Sequence, residues 1–186
     1  SKISVQLNTD PLYQYQWHLD NTGQTNFATI AGTAGEDLNL SSSIVAGYSG
    51  SGVTVAVVDD GLEIAHEDLG GNIVSGGSWD FVEQDTDPTE SSNDGGHGTS
   101  VAGIIAAKGW NNIGVRGVAP DSSLKGFNFL STLQLDNQFI SAFGGADYSQ
   151  DVDVFNFSAG QYLRSFSALP SARQSVLNSV IPGLRD

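Results

Sequence analysis

Short, nearly unbroken apolar runs alternate along this chain with longer segments whose apolar positions recur at helical spacing. Val53 to Val58 is almost continuously apolar and rich in β-branched residues, with Gly50 and Gly52 before it and Gly61 after it. A run so short predicts a strand buried on both faces, the pattern of a parallel sheet. Ser123–Phe129 and Asp153–Ser158 predict two further strands. Helical patterns separate them. The first covers Leu38–Tyr48, begun near Asp37 and ended at Gly47. The second opens at His97 and buries Val101, Ala102, Ile104, Ile105 and Ala106. Leu133–Ala146 reads as amphipathic, and Ser165–Val180 as a last helix closed by Pro182-Gly183. Strand–helix alternation predicts an α/β fold with a mostly parallel sheet and right-handed crossovers. Residues 1–40 are polar and turn-rich, with Trp17 and Leu19 as expected anchors on the core. Residues 61–96 form a glycine- and acid-rich excursion with little periodicity, and so long a loop in a compact domain is usually functional.

Composition narrows the function. At 186 residues the chain is one domain's worth, able to bury a real core. Seven basic against 21 acidic residues give a net charge of −14, which argues against nucleic acid and anionic membranes as partners and suits cations or basic substrates. There is no cysteine, so thiolate and disulfide chemistry are excluded. No stretch approaches the roughly 20 apolar residues needed to span a bilayer.

Two positions carry the candidate chemistry. Asp59 follows the first strand directly, at the carboxyl end where open α/β sheets place their sites. A carboxylate there accepts a hydrogen bond from an imidazole, fixes its tautomer and stabilises its charged form. His97 falls in the first turn of a helix rich in small residues, after Asp94-Gly95-Gly96, and Gly98 leaves room for close backbone packing. An acid and a base so placed suit nucleophilic catalysis.

With these residues, Val53-Thr-Val-Ala-Val-Val-Asp59-Asp60-Gly61 and Gly96-His97-Gly98-Thr99 resemble the subtilisin-like serine proteases, whose triad runs Asp, His, Ser. Asp59-Asp60, the segment from Asp10-Pro11-Leu12 to Gln16-Trp17-His18-Leu19, and Gly77-Ser78-Trp79-Asp80-Phe81 resemble the kexin/furin branch. The resemblance runs from about Asp10 to Gly160. It implies a subtilisin-like fold and a secreted, extracellular serine endopeptidase of bacterial type, with a peptide or protein substrate. Asp59 is expected to orient His97, and His97 to act as general base. A propeptide or chaperone partner is implied by the same resemblance.

Calcium is expected at two places. Hard oxygen ligands without His or Cys favour calcium over zinc or copper. Asp80, Asp85 and Asp87 cluster in the long loop, where the branch carries a calcium site, and their spacing does not fit an EF-hand. Asp68, with Asn111-Asn112-Ile113-Gly114-Val115 after the His helix, resembles the family's second calcium loop, completed by Asp10. The expected ligands there are Asp10, Asp68 and the Asn112 side chain. Solvated acidic loops and an ordinary turn are the plainer readings of the same residues.

Phe157-Ser158-Ala159-Gly160 resembles the segment along which these proteases pair the substrate backbone. Asp60 and Asp94 match positions where the branch holds acids facing basic substrate residues. The chain departs from the pattern at Ala159, where the family has Trp, and at Gln161–Arg164, where it has acids. A preference for basic residues, rather than strict dibasic selectivity, is the expectation. The oxyanion-hole Asn motif does not occur, and Gly98-Thr99-Ser100 cannot serve as the Gly-Thr-Ser of the nucleophile, because Ser100 belongs to the His helix motif. Residues 1–186 therefore read as the N-terminal part of one catalytic domain, and alone they are expected to lack triad activity. The Ser is expected on the remainder of the same protease, either in a nicked protein or in an incompletely described one. A non-catalytic, calcium-stabilised fragment or interaction module remains the alternative. A nucleotide-binding unit is disfavoured, because no Gly-x-Gly-x-x-Gly follows the first strand.

Overall fold

The computed structural model describes residues 10–90, 96–160 and 170–180. Four strands form one parallel sheet: β1 (Thr54–Asp59), β2 (Trp79–Asp80), β3 (Ser123–Asn128) and β4 (Val154–Asn156), in the order β2-β3-β1-β4. The helices are α1 (Ser41–Val45), α2 (His97–Ala106), α3 (Asp136–Ile140) and α4 (Ser171–Val180). The three expected strands are present, and β1 runs one residue further than expected, so Asp59 is its last residue.

Central β1 is buried on both faces, as its unbroken apolar run requires. One face packs Val55, Val57 and Leu124 against Ala102, Ala106 and Ala107 of the α2 region. The other packs Ala56, Val58, Phe127 and Phe129 against Phe139, Ala142 and Phe143, with Val176 and Leu177 of α4 alongside. Aromatic edges fill that second layer: Phe129 meets Phe139 at 6.0 Å, and Trp79 stacks on Tyr148 at 5.2 Å.

Several elements depart from expectation. Helix α1 keeps only Ser41–Val45 of Leu38–Tyr48. Asp37 does not start it. Its carboxylate accepts from the backbone N–H groups of Asn21 and Asn39, a local turn that competes with helix. The long excursion after Gly61 contains β2, which adds a fourth strand beside β3. Two residues are too few for any periodicity to reveal. The helix expected over Leu133–Ala146 begins only at Asp136 and passes into a wide π-type turn at Ser141–Gly145, broken by Gly144 at φ +97°. Leu133, at 86% exposure, faces solvent. Of Ser165–Val180, the described part is helical from Ser171; residues 165–169 and Pro182-Gly183 lie outside the described residues. Leu19 is buried, but Trp17 is 60% exposed and does not anchor the core.

The N-terminal segment is fastened by polar groups instead. Gln16 exchanges two hydrogen bonds of 2.8 Å with the backbone of Arg116, and Leu12 N–H donates to Gly114 O at 2.9 Å. Residues 10–19 are thereby tied to the loop that follows α2.

Candidate active site

Asp59 ends the central strand and is fully buried. Its backbone oxygen accepts from the N–H groups of Phe129 and Leu130, both at 2.9 Å, which locks the strand end. Its Oδ1 accepts from Asp60 N–H at 2.8 Å and pairs with His97 Nδ1 at 2.7 Å. An ionised carboxylate only accepts, so Nδ1 carries the hydrogen. His97 opens α2 with its side chain 57% exposed. One partner is thus sealed from water, and the other presents Nε2 outward. The hydrogen bond that His97 donates to Asp59, then the charge of Asp59, raises the imidazole pKa; the slight burial opposes this, and Asp60 adds a weaker upward pull. This pair can take up a proton at Nε2 and hold the resulting charge.

Asp60 does structural work beside the pair. Its Oδ1 accepts from Gly98 N–H at 2.7 Å and its Oδ2 from His97 N–H at 3.2 Å. It thus satisfies the free N–H groups at the start of α2 and places negative charge at the positive end of the helix. The close approach of α2 to the strand end needs Gly98. A Cβ there would lie 2.1 Å from Gly61 O and 2.8 Å from Asp59 Cβ.

Asp10 and Asp68, both buried, converge on the loop after α2. Asp10 accepts from the backbone N–H groups of Trp110, Asn111 and Asn112 at 2.7, 3.0 and 3.2 Å. Asp68 accepts from Val115 N–H at 2.9 Å and from the Asn111 side-chain amide at 2.8 Å. The Asn112 side chain is exposed, and it is Asn111, which sequence reasoning did not single out, that faces Asp68. Asn111 turns its amide nitrogen to Asp68, and its Oδ1 accepts from Ile113 N–H at 2.9 Å. The two buried carboxylates offer hard oxygen atoms, the ligand type calcium takes.

The second acidic group is arranged differently. Asp80 is buried, with Oδ1 held by the N–H groups of Val82 (2.5 Å) and Glu83 (3.0 Å) and Oδ2 by Asn128 Nδ2 (2.9 Å). Asp85 and Asp87 are exposed, and each accepts from the backbone N–H two residues ahead. Among the described residues, the three His or acidic side chains whose ligand atoms come within 4.8 Å of one another are Asp59, Asp60 and His97. Asp80, Asp85 and Asp87 do not gather in that way.

Ser158, Ala159 and Gly160 follow edge strand β4 as exposed, irregular chain. Asp94 lies outside the described residues. Asn128, also absent from the sequence-derived site, sits beside Asp59 in the sheet register. No local pattern marks it, because only the strand order brings it there.

Comparison with known proteins agrees with this geometry. Residues 50–181 match the model of the subtilase family. The extracellular serine protease of Aeromonas sobria is 46% identical over 91% of this chain and 27% of its own length. Its crystal structure in complex with a chaperone superposes with a TM-score of 0.86, at 44% identity, over 93% of this chain and 29% of that one. Human neuroendocrine convertase 2 is 36% identical over 86% of this chain and 24% of its own. The dibasic-processing endoprotease of Schizosaccharomyces pombe is 34% identical over 94% and 23%. The chain spans about a quarter of the length of these relatives. The expected parallel α/β architecture is that of its structural neighbours, and by family match, relatives and fold the chain belongs to the subtilase family of serine proteases, with relatives in the kexin-like branch.

Proposed function

We propose that this chain supplies the acid and the base of a secreted, calcium-stabilised serine endopeptidase, whose nucleophilic Ser and oxyanion donor lie on the remainder of the same protein. The observation that carries the reading is the 2.7 Å contact between a fully buried Asp59 and an exposed His97 at the carboxyl end of a parallel strand. His97 takes the proton from the serine hydroxyl as it attacks the scissile carbonyl and returns it to the leaving amine. Asp59 keeps Nδ1 protonated and stabilises the imidazolium. The acyl-enzyme is then hydrolysed by water, with His97 again as base.

Calcium would be held by Asp10, Asp68 and the Asn111 side chain with nearby carbonyls. Asn111 replaces Asn112 in the proposed set because its side chain reaches Asp68; binding would turn its amide oxygen, which accepts from Ile113 N–H, toward the ion. The ion would cross-link the N-terminal segment to the α2 loop and takes no part in proton transfer. Asp80, with Asp85 and Asp87, is the second candidate group.

A preference for basic residues before the cleaved bond is supported by the half-buried carboxylate of Asp60 next to His97, by the acidic surface, and by the dibasic-processing relative. Asp94 would add to that acidic wall, and Ser158–Gly160 would pair with the substrate backbone as an added strand. Secretion and a chaperone or propeptide partner are supported by the extracellular relative and its chaperone complex.

The test is the full-length protein treated with a serine-reactive fluorophosphonate and assayed on peptides with Arg before the cleaved bond. Labelling and cleavage are expected, and His97→Ala should remove both while leaving the thermal transition in place. Turnover by His97→Ala at the unaltered rate would end the assignment.

A further inference from the structure

The carboxyl ends of three adjacent strands line up a row of polar side chains. In the parallel register Asp80 pairs with Asn128, and Asn128 with Asp59. Partner residues in such a ladder point to the same face of the sheet, here the face covered by α2. All three are buried, at 2%, 3% and 0% exposure. The first link is direct: Asn128 Nδ2 donates to Asp80 Oδ2 at 2.9 Å. Asp80 is itself held by the N–H groups of Val82 and Glu83. A carboxylate accepts only, so Asp80 obliges Asn128 to turn its amide nitrogen that way and to keep its oxygen for another donor.

Two atoms are left over. Asn128 Oδ1 and Asp59 Oδ2 are buried and have no hydrogen-bond partner, and they belong to neighbouring residues of one row. A buried acceptor without a donor is costly, and a buried carboxylate oxygen most of all. Both leftover atoms are acceptors, so they cannot satisfy one another. A water molecule has two hydrogens, and buried waters typically bind polar groups that the protein leaves unmatched.

We infer that Asn128 is a positioning residue for the catalytic acid: one buried water, held by Asn128 Oδ1, donates its second hydrogen to Asp59 Oδ2 and fixes the carboxylate plane that receives His97. Asp80 acts behind it, by fixing the amide of Asn128. The long loop that carries Asp80 is thereby connected to the catalytic pair through Asp80, Asn128 and water. This role rests on the protease reading above, but the hydrogen-bond row does not.

The sign of the functional effect follows from charge. The Asp59–His97 pair carries net charge −1 when the imidazole is neutral and 0 when it is protonated. A donor on Asp59 Oδ2 favours the first state over the second. Among the described residues, Asp60, whose carboxylate faces the start of α2, is the other acid near the ring, and it stays in place in the variants. Losing the donor makes the pair hold its proton more tightly, so the acid limb of the pH profile moves upward.

The experiment is a high-resolution crystal structure of the full-length protein, together with the kinetics of Asn128→Leu and Asn128→Ser. The unaltered protein is expected to show an ordered water within hydrogen-bond distance of both atoms. Asn128→Leu is expected to lower kcat roughly tenfold with little change in KM and to raise the acid limb of kcat/KM. Asn128→Ser, which leaves room for a second water, should recover most of both. Density with no water between Asn128 and Asp59, or a folded Asn128→Leu with an unshifted acid limb, overturns the inference. Should Asn128→Leu fail to fold, the Ser variant and the unaltered structure still decide it. An ordered water in a protein without peptidase activity would leave the row standing and remove the protease reading.

Discussion

Asp59 and His97 divide their roles by exposure. The buried carboxylate has few alternative partners, so its charge acts on the imidazole with little screening. The raised pKa of His97 has two consequences of opposite sign. Its contribution to stability is fully present below the pKa of the unfolded imidazole and is lost as pH rises through the folded value. The proposed mechanism needs the neutral base, so activity is expected to rise as pH passes up through that same folded value. Asp59→Asn should shift the acid limb of kcat/KM down toward the ordinary imidazole range and lower kcat by about four orders of magnitude, as loss of a triad acid does. Titration of the His97 ring by NMR checks the first effect, and steady-state kinetics the second. Asp60 has two candidate duties that one substitution separates. Asp60→Asn keeps a carbonyl acceptor at the start of α2 and removes the charge. The expected loss is about 0.5–1 kcal/mol in thermal unfolding. If Asp60 also faces a basic substrate residue, the preference for Arg over a neutral isostere should fall at least about tenfold. A lower Tm with unchanged selectivity would assign it to helix capping alone.

At the scale of elements, the site depends on how closely α2 meets the end of β1. The bond between His97 and Asp59 exists because Gly98 lets the helix backbone touch the turn at Gly61. Gly98→Ala would place a methyl against a backbone oxygen, which no rotamer change relieves. The start of α2 must then move, carrying His97 with it. The expected cost is about 1–3 kcal/mol of stability, with a fall in kcat larger than the stability loss explains. Thermal unfolding and kinetics on the same preparation test this; an unaltered Tm would mean that the contact is looser than described. Elsewhere, local polar groups reshape elements that apolar spacing predicts. Asp37 closes a turn where a helix start is expected, and Gly144 ends the α3 region in a wide turn.

The chain is strongly acidic, and its N-terminal segment is held by buried polar contacts more than by apolar anchors. Both features suit the cation proposed above. Calcium at the Asp10–Asp68–Asn111 loop would offset self-repulsion and cross-link two distant parts of the chain. Added calcium should therefore raise Tm, by an amount equivalent to about 2.7 kcal/mol at a hundredfold excess over Kd. Asp68→Ala should abolish the calcium-dependent part of that shift. Calorimetry with and without chelator is the measurement, and a Tm indifferent to calcium in the unaltered protein would remove the ion from the account. Strand β4 is a sheet edge that carries Val154 and leads to Phe157, at 48% and 40% exposure. It is the edge from which the proposed substrate segment departs.

The sequence by itself determined the three main strands, the His helix, and the acid and base of the candidate site. Each is a local matter: an unbroken apolar run has one stable use, and Asp59 and His97 stand in covalent sequence with the elements that hold them. Kinship supplied the expectation of two calcium loops and of a substrate segment, which residue spacing alone would have left as acidic turns and an ordinary strand end. Only the tertiary structure decided the rest. Strand β2 is too short to carry a pattern, and it exists because β3 offers it an edge. Trp17 faces solvent while its neighbour Gln16 clamps Arg116, a partner 100 residues away. Asn111 rather than Asn112 meets Asp68, because the loop's turn sets which side chain faces inward. Asn128 joins the site because strand order places it between Asp80 and Asp59. Local propensity acts between neighbours in the chain, whereas register and close approach act between neighbours in space, and the second set is fixed only once the core has packed.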